Sequence, residues 1–144
     1  MVTCEAPLSI SATRAVASVT NLMVTAEKAG FPFAPTFART KEFALGQVNA
    51  LMTEALPSVH QPFMDGLMAS ALIDSHKRIP DPRIPHTLAA FSDFIWDRAW
   101  KASEEGFIYR LNDARYDTTG DAGLNQLIAP LYGWLWNITR DSKF

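Results

Sequence analysis

Arg78-Ile79-Pro80-Asp81-Pro82-Arg83-Ile84-Pro85, preceded by His76-Lys77 and followed by His86, is the stretch that divides this chain. Proline has a fixed φ and no backbone N–H. Three prolines within six residues are therefore incompatible with a helix interior or a central strand. The residues before each proline are pushed towards extended geometry, so the stretch reads as a surface crossover close to polyproline II over residues 77–86. It separates two helical halves of different chemistry.

Upstream of the crossover the apolar residues recur at helical spacing. Ser9 or Ser11 can cap a first helix whose stripe is Ala12, Ala15, Val16, Val19, Leu22, Met23 and Ala26. Gly30 suits its C-terminal cap, and Pro32 stops it from continuing. A second helix is expected over 36–56 with Phe37, Ala44, Leu45, Val48, Leu51, Met52 and Ala55 inward, ended by Pro57. Pro62 fits the first turn of a third helix over 61–76, with Phe63, Met64, Leu67, Met68, Ala71 and Leu72 as its apolar face. His76, Lys77 and Arg78 then lie where positive charge suits the helix dipole.

Downstream, Thr87 is the expected cap of a fourth helix carrying Leu88, Phe91, Ile95 and Ala99, widened by Phe94, Trp96 and Trp100. Residues 107–116 fit two patterns. Phe107, Tyr109 and Leu111 alternate as in a strand, whereas Phe107, Ile108, Leu111 and Arg115 fit a helix. Helix is preferred, because no partner strand is evident. Asp121 is the expected cap of a last helix that runs through Pro130 and Gly133. The fold class that follows is an all-α bundle of five or six helices in one domain spanning 1–144, with residues 1–9 as a loose arm and a proline-rich crossover.

Composition bounds the function. Hydrophobic residues make up 48% and charged residues 19%, enough for a real core without disulfides or a structural metal. The formal net charge of −2 argues against general nucleic-acid binding, which needs clustered Lys and Arg. The acids concentrate after the crossover: Asp93, Asp97, Glu104, Glu105, Asp113, Asp117 and Asp121 face only Arg98, Lys101, Arg110 and Arg115 over residues 93–121. Cys4 is the single cysteine, so no internal disulfide forms, in keeping with a cytoplasmic setting. The opening residues do not read as a secretory signal, and the apolar run 127–138 is too short to span a bilayer.

No motif is specific enough to name a reaction. Nucleophile elbows, Gly-rich phosphate loops and zinc-ligand spacings are absent, and His60, His76 and His86 read as surface residues at helix ends or loops. Two features point to chemistry or contact. All the Trp and Tyr residues follow residue 92; Trp96 and Trp100 share a helix face, while Trp134 and Trp136 cannot both face the core. Beside the acids, these indoles suit a basic protein partner. The crossover, with Arg78 and Arg83 flanking its prolines, could fit an aromatic-lined groove of a partner.

The first expectation is therefore a non-enzymatic interaction module: a small regulator, inhibitor or assembly subunit. Its partner is another protein or a second copy of the chain, contacted through Trp96, Trp100, Trp134, Trp136, Arg78 and Arg83. The alternative is a Mg²⁺-dependent helical enzyme acting on a phosphorylated or diphosphate substrate. In that reading Asp93/Asp97 and Asp113/Asp117, each pair four apart, supply oxygen ligands, and Arg110 or Arg115 holds phosphate. Ordinary ion pairing competes with it, since Asp97 precedes Lys101 by four residues and Arg110 precedes Asp113 by three.

Overall fold

A computed structural model describes residues 13–31, 34–53, 60–113 and 120–144. Its elements are α1 (Thr13–Lys28), α2 (Ala34–Thr53), α3 (Pro62–Arg78), α4 (Arg83–Ala99), β1 (Trp100–Lys101), a single 3₁₀ turn (Ala102–Glu104), β2 (Gly106–Ile108), β3 (Gly120–Asp121) and α5 (Ala122–Thr139). The helical bundle expected from the periodicity is the architecture found. The arm 1–9 and the caps Ser9 and Ser11 lie outside the described residues.

α3 is the centre of the bundle. It is buried on nearly all sides, from Pro62, Asp65 and Gly66 through Met68, Ala69, Ala71, Leu72 and Ile73 to Ser75. Small side chains let α1 and α5 approach it closely. At Gly66 a Cβ would run into the carbonyl oxygen of Leu127 on α5, so glycine sets the distance between these two helices. The one-sided apolar face expected for this helix is too narrow, because a central helix is packed on most sides and reaches solvent mainly at its C-terminal end, at Asp74, Lys77 and Arg78.

α1 presents a different face from the one expected. Thr13, Val16, Ala17, Thr20 and Val24 are buried, while Val19 and Leu22 stay exposed. Both threonine hydroxyls have partners within the bundle. Thr20 Oγ1 donates to the Val16 carbonyl (2.8 Å), and Thr13 Oγ1 accepts from Gln47 Nε2 (3.2 Å) on α2. A hydroxyl with a partner costs little to bury, so the true core stripe includes residues that a hydropathy pattern passes over. The expected cap at Gly30 is present, with φ +83° and the Phe31 N–H bonded to the Ala26 carbonyl.

The crossover is shorter than residues 77–86. α3 continues to Arg78, Ile79 is extended (φ −133°, ψ 100°), and Pro82 already has helical dihedrals (φ −63°, ψ −18°). α4 starts at Arg83 and takes Pro85 into its first turn, where the missing N–H would have had no partner. Thr87 lies inside α4 and does not cap it: the N-cap position is Pro82, and Asp81 just before it accepts the Arg83 N–H on Oδ1 (3.1 Å). Asp81 is buried and ties three helices together. Lys41 Nζ of α2 lies 2.8 Å from Oδ2, Arg83 donates from Nε (3.0 Å) and Nη2 (2.7 Å), and the Asp81 N–H donates to His76 Nδ1 (3.0 Å). Arg83 also forks onto Glu42 of α2, and Arg78 pairs with Glu27 of α1 (3.2 Å). The hydrogen bonds from Arg83, and then from Lys41, hold the Asp81 carboxyl far below the usual carboxylate range.

Residues 107–113, the described part of the ambiguous stretch 107–116, are not a helix. β2 pairs antiparallel with β1 (Trp100↔Phe107, Lys101↔Gly106) and with β3 (Phe107↔Asp121, Ile108↔Gly120). Leu111 forms a further bridge with His60. The alternation of Phe107 and Tyr109 was the correct signal. Its partner strands have two residues each, too few to show a period of their own. Residues 114–116 lie outside the described residues.

Candidate functional site

α4 carries Asp93, Trp96 and Asp97 at steps of three and four residues from Asp93, so they line one side of the helix, and Trp100, the first residue of β1, follows directly at its C-terminus. Trp96 and Trp100 stack with ring centroids 4.6 Å apart. The ribbon that follows α4 returns Phe107 beneath them, edge-on at 5.1 Å to Trp100 and 6.0 Å to Trp96. Tyr132 of α5 completes the cluster, edge-on to Trp96 (5.8 Å) and stacked on Phe107 (6.1 Å). Centroid distances and tilts of this kind are the favoured ones for aromatic pairs. The α5 start is pinned as expected by Asp121, which accepts the Gly123 N–H (2.9 Å). Asn125 one turn later bonds both the Phe107 N–H (3.1 Å) and the Glu105 carbonyl (2.9 Å).

Tyr132 donates its hydroxyl to the Ser92 carbonyl (2.9 Å). Burial, reinforced by the negative charges of Asp93, Asp97 and Asp65, pushes its ionisation well above the ordinary tyrosine value, so it remains a neutral donor. The cluster is rigid below and open above: Trp96 keeps 45% of its surface exposed. One turn beyond Tyr132 on α5, Trp136 keeps 48%. Trp134 points the other way, half-buried and edge-on to His76 (5.8 Å). The expectation that one indole of this pair faces away from the core therefore falls on Trp136.

Residues 140–144 fold back over this face. Arg140 ends α5 in the left-handed conformation (φ 59°) and places its guanidinium 5.0 Å above the Trp136 ring. Asp141 closes a turn by accepting the Lys143 N–H (3.0 Å). Lys143 Nζ then reaches the Asp93 carboxylate on α4 at 3.0 and 3.2 Å, and Phe144 packs half-buried against the core. Asp97 has no cationic partner among the described residues.

The other residues singled out by sequence are placed differently. Arg78 and Arg83 are engaged in ion pairs within the bundle. Of the four candidate Mg²⁺ ligands, Asp93 is paired with Lys143, Asp97 is exposed, and Asp113 is buried with Arg110 Nη1 at 3.6 Å. Asp117 and Arg115 lie outside the described residues. Among the described residues no three His, Cys, Asp or Glu side chains come together as a metal site.

Sequence reasoning missed one polar pair entirely. His60 is buried, contrary to its reading as a surface residue. Its Nε2 lies 2.6 Å from Asp65 Oδ2, with the residues only 2% and 1% exposed. Asp65 sits in the first turn of α3, and burial raises its carboxyl above the usual range against the opposing pull of His60. The His60 backbone exchanges two hydrogen bonds with Leu111 (3.2 and 2.8 Å), and Phe63 stacks on Tyr109 (5.7 Å). A His–carboxylate pair can orient a catalytic base. Here it is closed to solvent and fastens the loop after β2 to the start of α3. The only sequence signal was an acid three residues after the helix-starting Pro62.

No family model matches the chain, and neither the curated proteins nor the solved structures searched give a match. Among the described residues no helix is long and apolar enough to cross a membrane.

Proposed function

We propose that this chain is a non-enzymatic interaction module whose α4–α5 face receives a basic, aromatic-bearing segment of another protein. The observation that carries this reading is the placement on one face of two half-exposed indoles, Trp96 and Trp136, beside the unpaired carboxylate of Asp97. Indoles supply most of the contact energy at interfaces when they stand on a rigid base, and here the base is the Trp100–Phe107–Tyr132 stack. Asp93 and Asp97 favour a cationic ligand and disfavour a nucleic acid backbone. Carboxylates beside exposed π faces also attract Lys and Arg through both charge and ring quadrupole.

The test uses a fluorescein-labelled Lys-Phe-Lys-Phe-Lys peptide, with the Glu-Phe-Glu-Phe-Glu peptide as control. The native chain binds the first and not the second, and Trp96→Ala or Trp136→Ala weakens binding at least about tenfold, the scale of an interface hot spot. Equal binding of both peptides, or unchanged affinity in both variants, removes this face from consideration.

A further inference from the structure

We propose that residues 140–144 are an internal pseudo-ligand of the α4–α5 face, and that a basic partner binds by displacing them. This rests on the reading of that face as a binding surface and adds how it is regulated. The segment places a guanidinium over Trp136 and an ammonium on Asp93, the two kinds of acceptor that a basic partner would need. It follows its cations with an aromatic side chain, Phe144, tucked against the core, and Lys143 Nζ lies 4.6 Å above that ring. The chain thus presents to its own acidic aromatic face a cation–aromatic sequence of the type proposed for the partner.

The segment is held weakly enough to leave. The Lys143–Asp93 pair is about half exposed on both sides, and exposed pairs contribute little. The remaining ties are Phe144, the exposed Arg140–Trp136 stack, and the local bonds of the Asp141 turn: Asp141 N–H to Thr139 Oγ1 (3.2 Å), Lys143 N–H to Asp141 Oδ1 (3.0 Å) and Phe144 N–H to the Asp141 carbonyl (3.2 Å). Asp97, one turn along α4, stays free for the first encounter with an incoming cation. A partner that must open the strap sees its affinity reduced by the fraction of molecules in which the strap is already open. Weakening the strap raises that fraction and tightens binding without touching the indoles.

The experiment titrates the labelled Lys-Phe-Lys-Phe-Lys peptide into the full chain, Lys143→Ala, Phe144→Ala and the double variant. Lys28→Ala serves as a control that removes an exposed cation far along the chain on α1. Phe144→Ala keeps every charge, so it separates strap release from simple loss of repulsion. The expected result is binding about threefold to tenfold tighter in Lys143→Ala and Phe144→Ala, from release of a weakly held contact, with Lys28→Ala unchanged. Acrylamide should also quench Trp fluorescence more strongly in the two strap variants. Equal or weaker binding in both strap variants, while Trp96→Ala still weakens binding at least about tenfold, overturns the strap and leaves the surface standing. Absence of binding by every chain, the double variant included, overturns the surface and the strap together.

Discussion

Asp81 and Asp93 both sit beside lysine or arginine, yet they belong to different parts of the molecule's physics. Asp81, in the four-residue crossover, is buried and receives Lys41, a two-point contact from the Arg83 side chain and the Arg83 backbone N–H at the start of α4. Asp93, on the α4 face, is more than half exposed and meets a single lysine from the segment after α5, while Asp97 beside it meets none among the described residues. The first carboxylate is a structural joint whose removal leaves the largely buried Lys41 and the Arg83 backbone N–H at the start of α4 without their acceptor. The second and third are surface charges over an aromatic base, available to a partner. Burial and the number of partners separate the two roles; the presence of a nearby cation does not.

The strongest way to break this contrast is Asp81→Ala. Leaving Lys41 and the α4 start without their acceptor should cost about 2–4 kcal/mol in urea unfolding, within the range for breaking a multiply bonded buried carboxylate. A loss below about 0.5 kcal/mol would place Asp81 among ordinary surface charges. Next comes the paired test of the two C-terminal indoles. Trp134→Ala opens a cavity beside His76 and should cost about 2–3 kcal/mol, somewhat less than a fully buried Trp. Trp136→Ala should cost less than about 1 kcal/mol, the size of an exposed cation–π contact. Similar losses for both would mean that the outward indole is part of the core.

The acid limb of stability sharpens the same comparison. Asp81 is depressed in the folded chain, so the unfolded chain takes up its proton first. Its stabilising contribution is complete above the unfolded value of about pH 3.9 and is lost as pH falls below it. Asp65 has the opposite sign: its carboxyl is raised by burial, the folded chain binds the proton first, and its ionisation costs stability as pH rises above about 3.9. Asp81→Asn should therefore flatten the fall of stability below about pH 4, by up to roughly 1.4 kcal/mol per pH unit. An identical acid limb in Asp81→Asn and native protein would contradict the assignment. The smallest expected effect is that of Asp97→Asn, within about 0.5 kcal/mol on stability. It should nevertheless weaken peptide binding and lower its salt dependence, both read from titrations at two ionic strengths.

The helical skeleton was legible because its punctuation is local. Gly30, Pro62 and Asp121 start or stop helices where their backbone chemistry demands. The failures have physical causes. Thr13 and Thr20 bury hydroxyls that are satisfied within the bundle, so the inward face of α1 does not coincide with its hydrophobic stripe. Pro85 enters a first helical turn, so proline content overstated the crossover. β1 and β3 are two residues long and exist only because α4 and α5 bring them to β2. The His60–Asp65 pair depends on a contact between residues 60 and 111 that no local pattern encodes. On the candidate surface, the clustering of aromatics with acids after residue 92 was legible. The roles of the two C-terminal indoles, and the return of Lys143 to Asp93, required the folded chain.

The most direct test of the central claim measures Trp136→Ala in two ways at once, by thermal melting and by titration with the labelled Lys-Phe-Lys-Phe-Lys peptide. The account predicts a melting point within about 2–3 °C of native, as expected for a loss under 1 kcal/mol in a chain of this size, together with at least about tenfold weaker binding. A variant that melts far earlier yet binds as tightly as the native chain would make Trp136 a core residue and the α4–α5 face an ordinary surface.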